Sequence, residues 1–461
     1  MTDKIETSLI SVSSIDGRYS SYTSILSDYF SEFALMKERI FVEIEYLIRL
    51  IHKLYPINNK LAPFISPKYT TYLKSIYDNF SITDALLIKE IENETNHDIK
   101  AIEYFIRKKC LLHDNRMENL VPFIHFGLTS NDINSLSNAL ILQHCIYNIY
   151  IPTLSNTIRS INTLGEPYEK QPFPTYTHGQ LATPSTFYKE LLVFIDRLDK
   201  EFEYINKYRF FAKFGGANGN CNVHKFIYNN IDWMTFFHNF LNEFNIQRQI
   251  YTTQIEHYDN IAKLFDHLKR INTIFIDYCQ DIWLYISKDL ISQKVIKNEV
   301  GSSTMPHKVN PILFENAEGN LKMANCLLEF MSSKLPISRL QRDLTDSTII
   351  RNYGTVFGHI IIAFNNILKG NGKITPNINT INNELNNYII LAEPVQYYLK
   401  SKGISNSYEI LKEYSRGKSY ISKDEYIQFI QSINSRISIQ LSENDMNNLL
   451  ELNPFDYTGY Y

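Results

Sequence analysis

Glycine is scarce in this chain, at 16 of 461 residues, about half the usual fraction of ~7%. A chain so short of glycine has few tight turns, which argues against a many-stranded sheet and for long helices. Long apolar runs are missing too. None approaches the ~20 residues of a membrane span. The opening residues, MTDKIETSLISVSSIDGRYS, are polar and charged where a signal peptide needs an apolar core. No long basic run appears and the formal net charge is −3, so neither nucleic acid nor membrane is an expected partner. The five cysteines (Cys110, Cys145, Cys221, Cys279, Cys326) are odd in number and never spaced CxxC. That describes reduced thiols of a cytosolic, cytoplasmic protein, not a disulfide frame or a zinc site. Walker, GxGxxG, HExxH and GxSxG motifs are all absent, so no cofactor and no metal is expected.

What is present is helical periodicity. With 461 residues, 44% hydrophobic and 21% charged, the chain reads as globular and long enough for two to four domains. From Pro184, apolar residues recur at Leu191, Phe194, Leu198, Phe202 and Ile205, with Thr183 as the expected N-cap. A second run carries Ile261, Leu264, Leu268, Ile271, Phe275, Tyr278, Ile282 and Tyr285 without an internal Gly or Pro. A third begins near Pro311 and stops before Pro336; a fourth runs from Asp346 to Leu368, interrupted only by Gly354 and Gly358. Helices this long cannot bury an apolar stripe alone and must bundle, across subunits as well as within one. The expected fold is all-α, in three helical domains: an N-terminal domain over 1–120, a central long-helix bundle over 121–364, and a C-terminal domain over 365–461. No clean hairpin is apparent, apart from a short ribbon near 207–225.

Polar residues suited to chemistry gather where helices begin. Asn96-His97-Asp98 precedes a helix with Ile99, Ile102 and Ile106 on one face; Thr129-Ser130-Asn131-Asp132 precedes another with Ile133, Leu136 and Leu140. His178-Gly179-Gln180 lies just ahead of the helix from Pro184. Helix starts offer free N–H groups and a positive dipole end to carboxylates and phosphates. The same pattern fits Ser130, Asp98 and Thr183 as ordinary caps. Arg18-Tyr19 and QRDLTDSTIIRN add anion-binding candidates; Ser347 and Arg351 stand one helical turn apart, so hydroxyl and guanidinium share a face. A solvated pairing of Arg351 with Asp343 or Asp346 is the alternative.

One stretch does not fit a helical scaffold. Residues 301–311, GSSTMPHKVNP, place Gly, two prolines and small polar residues between two long helices. This stretch resembles the signature loop of the fumarase/aspartase superfamily, and GSSTMPHKVNPILFENAEGN resembles the adenylosuccinate lyase family within it. The likeness extends through DGRYS (16–20), NHD (96–98), HFGLTSNDIN (125–134), THGQLATPSTFYKE (177–190), TTQIEHYD (252–259) and SRLQRDLTDSTIIRN (338–352). It is strong from about residue 15 to 360 and rests mainly on helical character beyond.

That resemblance implies cleavage of a C–N bond by anti elimination with release of fumarate, with Ser302 as general base and His178 as general acid. Lys308 and loop N–H groups would make the Ser302 hydroxyl basic. Lys308, Asn310, Thr129 and Ser130 would hold the doubly charged aci-carboxylate, and His97 would support placement of the substrate. Arg18, Tyr19, Asn96, His97, Asp98, Gln254, Arg342, Ser347 and Arg351 match nucleotide-binding positions of that family, with Glu315 and Asn316 near its site. The substrates implied are adenylosuccinate, giving AMP, and SAICAR, giving AICAR. The assembly implied is a homotetramer with a tetrameric helical core and sites shared between subunits. Two alternatives stay open: an argininosuccinate lyase-like enzyme, and a non-catalytic helical homologue.

Overall fold

The structure is a computed structural model that describes residues 8–294, 305 and 307–460. Its principal helices, in chain order, are α1 (Glu32–Leu54), α2 (Ile82–Thr95), α3 (Asp98–His113), α4 (Ser130–Cys145), α5 (Phe187–Asn206), α6 (Asp259–Ser287), α7 (Ile312–Lys334), α8 (Thr345–Ile350) and α9 (Tyr353–Asn371). The protein is all-α: among the described residues, strands occur only in two-stranded pairs. No helix among the described residues is long and apolar enough to cross a membrane.

The chain divides into two compact units. One comprises the described residues of Met1–Leu154, Glu201–Thr273 and Gly319–Asn365; the other comprises those of Ser155–Lys200, Ile274–Glu318 and Asn366–Tyr461.

In the first unit, α1 begins where the Ser31 hydroxyl accepts the Ala34 N–H at 3.1 Å. His52 and Lys53 close it on the side favoured by the dipole. Ile40, Val42, Ile44, Leu47, Leu50 and Ile51 are fully buried, and Arg39, Glu43 and Glu45 are buried with them. The middle of α1 is buried almost all round and offers little solvated face for charge, so each of these three charged groups is held by a partner. Arg39 bonds Asp98, Glu43 meets the His125 ring and Glu45 accepts the Tyr77 hydroxyl.

A buried ion pair lies at the N-terminal end of α4. Asp132 and Lys213, both with no exposed side-chain surface, stand 2.7 Å apart. The Asp132 carboxylate also accepts the N–H groups of Thr129 (2.8 Å), Gly215 (2.8 Å) and Gly216 (3.0 Å). Lys213 Nζ donates to Gly216 O at 2.6 Å. Burial pulls the Lys213 ammonium below its ordinary range, and Asp132 pulls the other way. The pair ties α4 to a parallel strand pair, Phe210–Ala212 with Ile246–Arg248. The ribbon expected near 207–225 is therefore half right: a strand forms at 210–212, but its partner lies over thirty residues away and runs parallel.

The fourth expected helix is broken. It divides into α8 and α9, with Arg351 and Asn352 between them. Gly354 and Gly358, expected as interruptions, instead lie inside α9. A Cβ at either would approach Phe30 or Ile15 to 2.8 Å, so these glycines serve close packing.

In the second unit, the helix expected from Pro184 starts at Phe187. Thr183 does not cap it; its hydroxyl donates to Glu393 Oε2 at 2.5 Å. Residues 185–186 are drawn into an antiparallel pair with 172–173, which delays the helix by three residues. The segments after 377 are short helices around their own apolar cluster, with Leu391, Val395, Leu399, Ile421, Ile430 and Leu449 at its centre.

Candidate active site

The first unit contains a cavity of about 690 Å³ in which five elements converge: α1, the α2–α3 corner, α4, the segment around Tyr258, and α8. Asn96, His97, Asp98, Ser130, Arg342, Ser347 and Arg351 all line it. Residues singled out from three separate stretches of sequence thus meet in one place.

The local folding explains how. α2 ends because Asn96 adopts the left-handed conformation (φ 49°), a role asparagine tolerates. The chain reverses, and the His97 Nδ1 accepts the Lys100 N–H at 3.1 Å to cap α3. Capping falls to His97, which leaves the Asp98 carboxylate at the cavity wall. Asp98 Oδ1 accepts the N–H of Ile99 at 2.8 Å; its Oδ2 accepts from Arg39 Nη2 at 2.9 Å and stands 3.5 Å from Arg351 Nη2. Burial would push the Asp98 carboxyl up; Arg39, the Ile99 N–H and Arg351 together overcome this and hold it below the usual carboxylate range. Arg351 therefore pairs with Asp98, not with Asp343 or Asp346.

Asp346 is occupied elsewhere. Its Oδ2 accepts the Tyr258 hydroxyl at 2.7 Å and its Oδ1 accepts the Ser347 N–H at 2.8 Å, which fixes the turn carrying Ser347. Arg342 Nη1 donates to Gln254 Oε1 at 3.2 Å. A neutral amide leaves that guanidinium its full charge. Lys89 bridges Glu32 and Glu92 at 2.8 Å each, so those carboxylates have their own cation. The side of the cavity bearing Arg342, Ser347 and Arg351 combines two planar cations with a hydroxyl, the chemistry that receives a phosphate. Thr129 begins α4 beside Ser130. Arg18 and Tyr19 do not line the cavity; the Arg18 guanidinium lies 5.9 Å from its own neighbour's ring.

The second unit carries the other candidates. His178 sits at the tip of a hairpin in which Tyr176 pairs with Leu181 and Thr177 with Gln180. His178 and Gly179 form the two-residue turn with φ 52° and 72°, the double positive φ of a type I′ turn. The sequence reading missed this hairpin, although a glycine after a polar residue between short β-prone stretches was its signal. The turn leaves the His178 imidazole exposed. Lys308 is exposed, its N–H bonded to Met305 O at 3.0 Å. Asn310 precedes α7, and Glu315 and Asn316 lie in its first turns. Glu315 Oε1 accepts the Trp283 indole N–H at 3.0 Å, and Asn316 Oδ1 accepts from Asn366 at 2.6 Å. Ser302 and Gly301 lie outside the described residues.

Sequence reasoning missed Arg39, Asn134 and Tyr258 at the cavity, and took Asp346 only as an alternative partner of Arg351. Arg39 had a faint signal, an arginine next to the apolar stretch Ile40-Phe41-Val42. The partners it would find there were not legible.

Comparison with known proteins extends these observations. The family described as Lyase matches residues 17–325, and that described as Adenylosuccinate lyase C-terminal matches 338–458. The likeness thus includes the last hundred residues, beyond helical character alone. An adenylosuccinate lyase of Dictyostelium discoideum is 45% identical over 98% of this chain and 97% of its own length. One of Escherichia coli K12 is 42% identical over the same shares. Among solved structures, a 3-carboxy-cis,cis-muconate lactonizing enzyme of Pseudomonas putida aligns over 96% of this chain and 95% of its own, with TM-score 0.73 at 15% identity. A fumarate lyase of Mesorhizobium sp. BNC1 aligns over 95% of each chain, with TM-score 0.70 at 14% identity. At those identities the structures share the fold.

Proposed function

Because this chain belongs to the adenylosuccinate lyase family, we propose that it splits adenylosuccinate into AMP and fumarate, and SAICAR into AICAR and fumarate. The observation that carries the choice of substrate is the cavity that gathers Arg342, Ser347 and Arg351 beside Asn96, His97 and Asp98. A lyase of small dicarboxylates has no use for a phosphate pocket.

In the proposed reaction the Ser302 oxygen removes a proton from the succinyl Cβ. The electron pair left behind forms the new C=C bond, the C–N bond breaks, and His178 protonates the departing nitrogen. Lys308 and Asn310, with Thr129 and Ser130, bind the carboxylate that gains charge as the proton leaves. A hairpin tip suits His178, since a tight turn presents the ring without covering it. Gln254, fixed against Arg342, and the Arg18-Tyr19 corner complete the nucleotide contacts; Glu315 and Asn316 are further residues of the proposed site. We place the protein in the cytoplasm, a compartment that its five free thiols fit. We also propose a homotetramer, which exposed apolar side chains on the long helices support: Trp283 on α6, and Met323 and Phe330 on α7.

Fumarate release followed by absorbance tests the activity. Turnover is expected with adenylosuccinate and not with argininosuccinate; the reverse would make this a different superfamily lyase, and no turnover of either would leave a helical homologue without catalysis. Arg351→Ala tests the phosphate assignment. Loss of a charge-assisted contact of about 1.5–3 kcal/mol should raise KM for the nucleotide roughly 10- to 150-fold. An unchanged KM would put the phosphate elsewhere.

A further inference from the structure

Asp98 faces two guanidiniums of opposite character. Arg39 is buried, 7% exposed, and held on two sides, by Asp98 Oδ2 and by Asn134 Oδ1, both at 2.9 Å. Arg351 is more than half exposed and meets the same Oδ2 at the looser distance of 3.5 Å. The buried arginine is boxed in between α1, α3 and α4, whereas the exposed one has the freedom to turn into the cavity. Charge then matters. A carboxylate with no other cation would capture Arg351 in a close, partly desolvated pair, and a phosphate would have to compete for it.

We propose that Arg39 is a positioning residue of this site: it occupies Asp98 as the resident counter-ion and so leaves Arg351 available to the phosphate of the ligand. The inference rests on the nucleotide reading above. The charged and titratable groups around Asp98 are Arg39 on α1, Arg351 after α8, its neighbour His97 at 3.9 Å, and Glu92 on α2, which acts on Arg39. Of the two guanidiniums, Arg39 has the stronger hold on the Asp98 charge, as the distances require. Arg39 touches no ligand in this scheme; it acts through Asp98.

The test is a double-mutant cycle on the full-length protein, with AMP as the probe, its Kd measured by calorimetry and kcat followed alongside. Arg39→Met should weaken AMP about tenfold or more while kcat at saturating substrate changes less than about threefold, because Arg351 becomes committed to Asp98. Arg39→Lys, which keeps the charge, should hold AMP within about threefold of wild type. Asp98→Asn with Arg39→Met should bind AMP no worse than Asp98→Asn alone, since no carboxylate remains to capture Arg351. Wild-type affinity in Arg39→Met, or losses that simply add in the double variant, would overturn the proposal. If Arg39→Met does not fold, the lysine variant decides: a loss of about tenfold there, which adding Asp98→Asn fails to relieve, also overturns the scheme. Wild-type protein that turns over a succinyl substrate but fails to bind AMP would instead sink the nucleotide reading, and this inference with it.

Discussion

Ser302→Ala is expected to lower kcat by roughly 10²–10⁴-fold while leaving KM nearly unchanged, the signature of losing a general base that does not anchor the substrate. The proton removed sits next to a carboxylate and is only weakly acidic, so its departure puts a second charge on that group. A serine oxygen can accept such a proton only as its alkoxide, which nearby N–H groups and a cation must stabilise, the part assigned to Lys308. His178→Ala should cost a comparable factor, and least with an adduct whose nitrogen leaves easily, because a good leaving group has little need of a proton. Steady-state kinetics on the two variants with a pair of leaving groups checks both. An alanine at 302 that turns over like wild type moves the base to another residue. An equal loss at 178 for every leaving group removes the acid role from the imidazole.

The second large effect concerns stability. Lys213→Met should reduce the apparent unfolding free energy in urea by about 3–5 kcal/mol, the range for breaking a buried pair from one side. The Asp132 carboxylate would remain with no exposed surface and without its paired cation, with only Arg248 acting on it from farther off. Its three backbone donors, from Thr129, Gly215 and Gly216, offset part of the loss. Lys213→Met combined with Asp132→Asn should therefore lose less than Lys213→Met alone. The loss also reaches the cavity, because Asp132 sets the start of the helix that bears Ser130. A single variant within about 1 kcal/mol of wild type would show that Asp132 is protonated or hydrated there, and that the ion pair is not what holds α4 to the strand pair.

The contrast between Ser347 and Thr183 shows how far local pattern carries. Both precede or enter a helix-like run in the sequence, and both carry a hydroxyl. Ser347 is where a helical turn places it, one turn from Arg351 and on the same wall of the cavity. Thr183 loses its cap because residues 185–186 pair with 172–173, a contact that no window of neighbouring residues contains. His97 shows the same limit on a smaller scale. A helix start between Asn96 and Ile99 was legible, but the side chain that caps it depends on where Arg39 draws Asp98.

The sequence alone determined the helical class, the run of α5, α6 and α7, the polar residues where α3 and α4 begin, and the kinship carried by residues 301–311, because each rests on spacing within a few turns of chain. Tertiary structure decided the rest: the hairpin under His178, the break between α8 and α9, the parallel strand pair, and the sharing of Asp98 by two arginines. Those depend on groups distant in sequence competing for the same buried space and the same lone pairs, and such competition is settled only when the chain has packed.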